Sequence, residues 1–158
     1  MRVFLPYTGS RPSAFLILMQ AQTFTKEERL RGKTVFTRLF SQGRSFNVPP
    51  FRITWQLLPA GSRKGDLIQA AFVVPKRNFK KATARNLLRR RMKEAYRIHK
   101  EDLRIQLTEK GKMLIFVCVY NSKEPFLFSE IESKIIVTLQ RLAKETTPTV
   151  LPPKGDLS

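Results

Sequence analysis

The chain has 158 residues, 42% of them hydrophobic, a size that suits one domain with a modest core. Its formal net charge of +18, from 30 Lys and Arg against 12 Asp and Glu, is more than solubility needs and opposes compactness by self-repulsion, so an anionic partner is expected. A single cysteine, Cys118, and a single histidine, His99, exclude an internal disulfide and a zinc set, and point to a reducing compartment, the cytoplasm.

Residues 1–22 are expected to be an extension outside the fold. The run "AFLILM" at 14–19 is too short for a signal peptide, and no small-residue cleavage site follows it. Met19 is an alternative start that would leave the extension untranslated. Thr25 and Glu28 form a T-x-x-E capping box, and Val35, Phe36, Leu39 and Phe40 share one helical arc, which predicts a first helix over about 25–41 with Gly43 just past its end.

"FRITWQLL" at 51–58 alternates, with Phe51, Ile53, Trp55 and Leu57 on one face and Arg52, Thr54 and Gln56 on the other, and predicts a half-buried strand. "LIQAAFVVP" at 67–75 predicts a second strand, stopped by Pro75 and paired with the first as a hairpin. A basic helix follows over 84–100, then a short helix closed by Gly111. "MLIFVCVY" at 113–120 reads as a strand covered on both faces, with Cys118 a core residue. Ser129 and Glu132 form another capping box, opening a last helix on which Ile131, Ile135, Leu139 and Leu142 recur up to about 145; residues 146–158 are expected to be a disordered tail. The fold class is therefore α+β, one sandwich over 23–145, ordered α-β-β-α-(α)-β-α.

The basic helix carries the chemistry. At 100° per residue Arg85, Arg89, Arg90, Lys93, Arg97 and Lys100 occupy one arc, and Ala84, Leu87, Leu88, Met92, Ala95 and Ile98 the opposite one. Arg91 falls in the apolar arc, where it must snorkel or find a buried partner. Lys76, Arg77, Lys80 and Lys81 precede the helix and extend its charge. Solvated helix faces normally mix signs at i,i+4, whereas like charges stand four apart at Arg85, Arg89, Lys93 and Arg97, a pattern suited to phosphates. Arginine's planar fork favours bidentate phosphate contacts. The stretch lacks the bulky aromatic face of an interfacial helix, and no segment is long and apolar enough to span a membrane.

"ARNLLRRRMKEAY" resembles the R-N-R signature of the bacterial ribonuclease P protein component. Arg85 and Asn86 match its first two positions, Arg89, Arg90 and Arg91 its basic cluster, Lys93 a later basic position and Glu94 its acid; Leu87 stands where the family usually has arginine. "VFTRLFSQG" at 35–43 is similar to the family's first helix, and "FVVPKRNFKKA" to its basic strand exit. The resemblance implies an α/β sandwich with a left-handed βαβ crossover, and a protein subunit that joins a catalytic RNA to remove the 5′ leader of precursor tRNA. It implies contact of Arg85, Asn86, Arg89, Arg90, Lys93 and Arg97, with Lys76, Arg77, Lys80 and Lys81, with the catalytic RNA. A leader cleft would be lined by Phe36 and Phe40, for which core packing is the competing role, and by Arg52 and Thr54.

No catalytic or metal-binding residues are expected in the protein: Glu101 and Asp102 are adjacent and would diverge on a helix, so magnesium would be held mainly by the RNA partner. No organic cofactor and no obligate protein partner are signalled. The alternative reading is a structural RNA-binding protein of the ribosome, which has no reason to combine the R-N signature with Phe-x-x-x-Phe on the first helix. A DNA-binding module ranks last, for want of a helix-turn-helix or dimer seam.

Overall fold

The apolar run at 113–120 becomes the middle of the fold. A computed structural model describes residues 24–146, so the expected extension, the alternative start at Met19 and the expected tail beyond Thr146 lie outside the described residues. A 3-10 turn at Lys26–Glu28 comes first. It is followed by α1 (Lys33–Gln42), β1 (Arg44–Val48), β2 (Phe51–Pro59), β3 (Ile68–Val73), α2 (Ala82–His99), α3 (Glu101–Lys110), β4 (Lys112–Tyr120) and α4 (Phe128–Thr146).

The sheet order is β1-β2-β4-β3, with β2 antiparallel to β1 and β4, and β3 parallel to β4. The expected hairpin between β2 and β3 does not form: β4 lies between them, pairing Thr54 with Val117 on one side and Ala71 with Val117 on the other. A hairpin and this arrangement present the same alternation in the sequence, and only β4, apolar and largely buried on both faces from Met113 to Tyr120, decides between them. The β3–α2–α3–β4 connection is a parallel crossover, which needs the helices that the sequence places there.

One face of the sheet packs beneath α2, α3 and α4. Phe46, Ile53, Trp55, Phe72, Phe116 and Tyr120 meet Leu88, Met92, Tyr96, Leu103, Ile131, Ile135 and Leu142 in one apolar cluster. Cys118 is wholly buried there, and burial pushes its thiol pKa up, as suits a core residue rather than a nucleophile. On the opposite face α1 sets Leu39 over Ile115 and Val117.

Several local expectations need correction. The first helix is broken: the Glu28 carboxylate accepts from the Thr25 N–H at 2.9 Å, but this box closes only the 3-10 turn. The chain then runs extended beside β3, with the Leu30 N–H on the Ala70 carbonyl at 3.0 Å, and α1 restarts after Gly32, whose φ of 106° favours glycine. Strand β1 was not anticipated; five residues holding only Phe46 and Val48 as inward apolar positions make a weak periodic signal. The Ser129–Glu132 box does not cap α4, which begins a residue earlier. Glu130 instead accepts the Leu127 N–H at 3.0 Å, and Glu132 meets His99 Nε2 at 2.9 Å.

Candidate nucleic-acid interface

The basic helix docks through Leu88, Met92, Ala95 and Tyr96, all buried, and turns its guanidinium-bearing side outward. The buried stripe is narrower than the predicted arc: Leu87 and Ile98 are 44% and 36% exposed. They lie at one margin of the arc, outside the stripe formed by Leu88, Met92, Ala95 and Tyr96. Arg91 reaches a partner instead of snorkelling, its Nη1 donating to the Phe126 carbonyl at 2.6 Å and tying α2 to the segment before α4. Lys100, expected on the outward arc, is turned inward by the end of α2 and pairs with buried Glu28.

The remaining cations are arranged by local bonds. The Pro75 carbonyl accepts the Asn78 and Phe79 N–H groups, Asn78 Nδ2 donates to the Tyr120 carbonyl at 3.2 Å, and the Phe79 ring packs edge-on to Tyr120 at 5.6 Å. These anchors leave Lys76, Arg77, Lys80 and Lys81 exposed. Arg85 Nη1 donates to the Phe79 and Lys80 carbonyls at 2.9 and 2.8 Å, so Arg85 shapes this loop as well as adding charge. Asn86 Oδ1 accepts from Arg89 and orients it, while Arg90 is exposed. Arg97 donates to the Glu94 carboxylate at 3.1 Å, which raises its pKa and makes it the most neutralised of the row.

Arg29 was missed by sequence reasoning. It stands in the extended segment beside β3, and its charge, with that of Arg89, acts on Lys93; partial burial first, then these two neighbours, lower the Lys93 pKa. Nothing in the local pattern links position 29 with position 93. Among the described residues no three His, Cys, Asp or Glu side chains gather to hold a metal ion.

The opposite face of the sheet offers a second surface. Phe36 is half-buried against the cluster of Leu30, Leu39, Ile115 and Val117, whereas Phe40, one turn later, is 56% exposed, so the two rings differ in the roles open to them. Arg52 is exposed and opposes Val119, which in turn pairs with exposed Val73; this row leads directly to Lys76 and Arg77. Thr54 belongs to the same face but is buried, its hydroxyl 3.0 Å from that of Ser45, so it supports β1 and is not an open lining group.

The family model for ribonuclease P matches residues 24–143, nearly the whole described fold and both surfaces. The chain belongs to the ribonuclease P protein family. A ribonuclease P protein component of Porphyromonas gingivalis is 29% identical over 128 residues, covering 80% of this chain and 91% of the relative. The ribonuclease P protein of Thermotoga maritima superposes with a TM-score of 0.56 at 26% identity, covering 72% of this chain and 96% of that one. The Staphylococcus aureus protein shares the fold with a TM-score of 0.54 at 19% identity, over 74% of this chain and 95% of that one. As a family member the chain is the protein component of a ribonucleoprotein endoribonuclease and associates with ribonuclease P RNA. No described helix is long and apolar enough to cross a membrane.

Proposed function

We propose that this ribonuclease P subunit, which assists removal of the 5′ leader from precursor tRNA, divides that task between its two surfaces. The outward face of α2, with Lys76, Arg77, Lys80 and Lys81, takes the phosphates of the catalytic RNA. Arg85, Asn86, Arg89, Arg90 and Lys93 form the centre of this contact and Arg97 its neutralised end. The exposed Phe40 ring, Arg52 and the Val119–Val73 row receive the unpaired leader of precursor tRNA, while Phe36 anchors α1 on the apolar cluster of that face.

The observation that carries this reading is the division of α2 into a docked apolar stripe and an outward cationic row. Like charges so placed destabilise the free protein and are relieved by counterion release when phosphates bind. A base of any identity stacks on an aromatic ring, which suits a leader of variable sequence.

Catalysis rests with the RNA. The carboxylates best placed to act are already engaged: Glu28 with Lys100, Asp66 with Arg104 at 2.7 Å, and Glu94 with Arg97. These side chains do not fit a magnesium site, so the metal is assigned to the RNA partner, and the cytoplasm is the compartment in which both RNAs are met. Reconstitution tests the reading. The purified protein, added to a bacterial ribonuclease P RNA at low magnesium, is expected to restore release of the leader; failure to stimulate cleavage would refute it.

A further inference from the structure

The positive charge is not confined to α2. At the far edge of the sheet, three depressions share their linings and run together. The first, of about 410 Å³, follows the outer side of α1 past Lys33, Thr37, Arg38 and Gln42. Gln42 also lines the second, of about 400 Å³, where Arg44 stands beside Trp55 at the start of β1. Arg44 and Glu145 continue into the third, of about 670 Å³, which Arg141, Lys144 and Val137 of α4 complete. The result is a furrow that follows α1 for about 15 Å, its ten residues rising ~1.5 Å each, and then turns the corner of β1 onto α4.

Five cations, Lys33, Arg38, Arg44, Arg141 and Lys144, face one acid in this furrow, Glu145. Glu145 reaches Arg141 only at 3.6 Å, and neither Arg44 nor Lys144 has a carboxylate partner among the described residues. Two guanidiniums are held in place by rings: Arg141 lies 4.4 Å from the Phe46 centroid and Arg44 5.9 Å from that of Trp55. Stacking lowers the entropy lost when such a fork closes on a phosphate. Val137, 45% exposed, adds an apolar contact within the same depression.

We propose that this furrow is a second RNA site, one that holds the phosphate backbone of an RNA segment other than the one on α2. The proposal rests on the assignment of α2 to the catalytic RNA and deepens it. Helix α2 lies over β3 and α4 over β1, so the two cationic surfaces occupy opposite edges of the sheet and the protein bridges two stretches of RNA. A continuous path with repeated cations, hydroxyls at Thr34, Thr37 and Ser41, and a bend suits a flexible polyanion better than the compact surface of an acidic protein.

The test is the triple variant Arg38→Gln/Arg44→Gln/Lys144→Gln, all exposed positions, made in the full chain and checked by its melting temperature. Affinity for the catalytic RNA, and affinity of the assembled enzyme for precursor tRNA, are each measured across a salt series. The slope of log affinity against log salt is expected to fall by roughly 2 in one of these equilibria, since each lost phosphate contact removes about 0.7–0.9. Unchanged slopes in both, with melting preserved, would overturn the proposal, as would loss of binding to poly-glutamate in place of any effect on RNA. Arg89→Gln serves as the control. If it lowers the slope and the triple variant does not, the furrow alone is rejected; if Arg89→Gln has no effect, the assignment of α2 has failed instead.

Discussion

Glu28 and Lys100 form an ion pair in which both side chains are only 2% exposed, and it joins positions 72 residues apart. The pair lies at the α2–α3 junction, with the Lys100 ammonium also 5.8 Å from the Tyr96 ring, and it ties the extended N-terminal segment to the crossover helices. That segment carries Phe24 onto Phe72 and Tyr96 and brings Arg29 beside the basic row. A stability contact thus positions Arg29 beside the cationic row of α2.

Breaking this pair from one side leaves the other charge buried. Lys100→Met or Glu28→Gln is therefore expected to destabilise the protein by roughly 3–5 kcal/mol, and the double variant by clearly less than the sum. Urea unfolding of the three proteins checks this; additive losses would mean that the two groups do not interact.

Arg89, half-buried on the outward side of α2, donates to Asn86 Oδ1, which orients its guanidinium. Arg89→Ala is expected to weaken affinity for the catalytic RNA and lower the salt slope by about 1, with stability changed by less than about 0.5 kcal/mol. Asn86→Ala should weaken binding with the slope unchanged, because it removes orientation and not charge. Filter binding across a salt series separates the two.

Lys93 has its pKa lowered by partial burial and by Arg29 and Arg89. Its charged form is thus disfavoured in the folded free protein. The cost is fully present below the folded pKa and is relieved as pH rises through that value towards the ordinary lysine value of 10.5. Lys93→Met should therefore raise the stability of the free protein at neutral pH by a few tenths of a kcal/mol while weakening RNA binding. Wild-type affinity should also fall at alkaline pH before that of Lys93→Arg, which keeps its charge; coincident pH profiles would remove Lys93 from the interface.

Phe36 and Phe40 differ in burial, and the difference predicts their variants. Phe40→Ala is expected to leave thermal unfolding nearly unchanged and to reduce affinity of the assembled enzyme for precursor tRNA, by about 1–3 kcal/mol if one base stacks there. Phe36→Ala should lower stability, since its ring packs on the cluster of Leu30, Leu39, Ile115 and Val117. A tRNA lacking a leader should bind the Phe40→Ala enzyme as it binds wild type.

The sequence by itself determined the parts whose signal is local. The period of α2, the alternation of β2, the unbroken apolar run of β4 and the like charges four apart each follow from a repeat within a few turns or pleats. The resemblance added the implied family fold with its left-handed crossover and the implied RNA partners. Tertiary structure alone decided the rest, because pairing between distant segments leaves no periodic trace. It placed β4 between β2 and β3, turned Lys100 inward to Glu28, covered Thr54 with Ser45, and brought Arg29 to Lys93. It also separated Phe36 from Phe40, because α1 meets the sheet along a line narrower than its apolar arc. A helical wheel shows which side of a helix is apolar; how much of that side is covered depends on the surface it lands on.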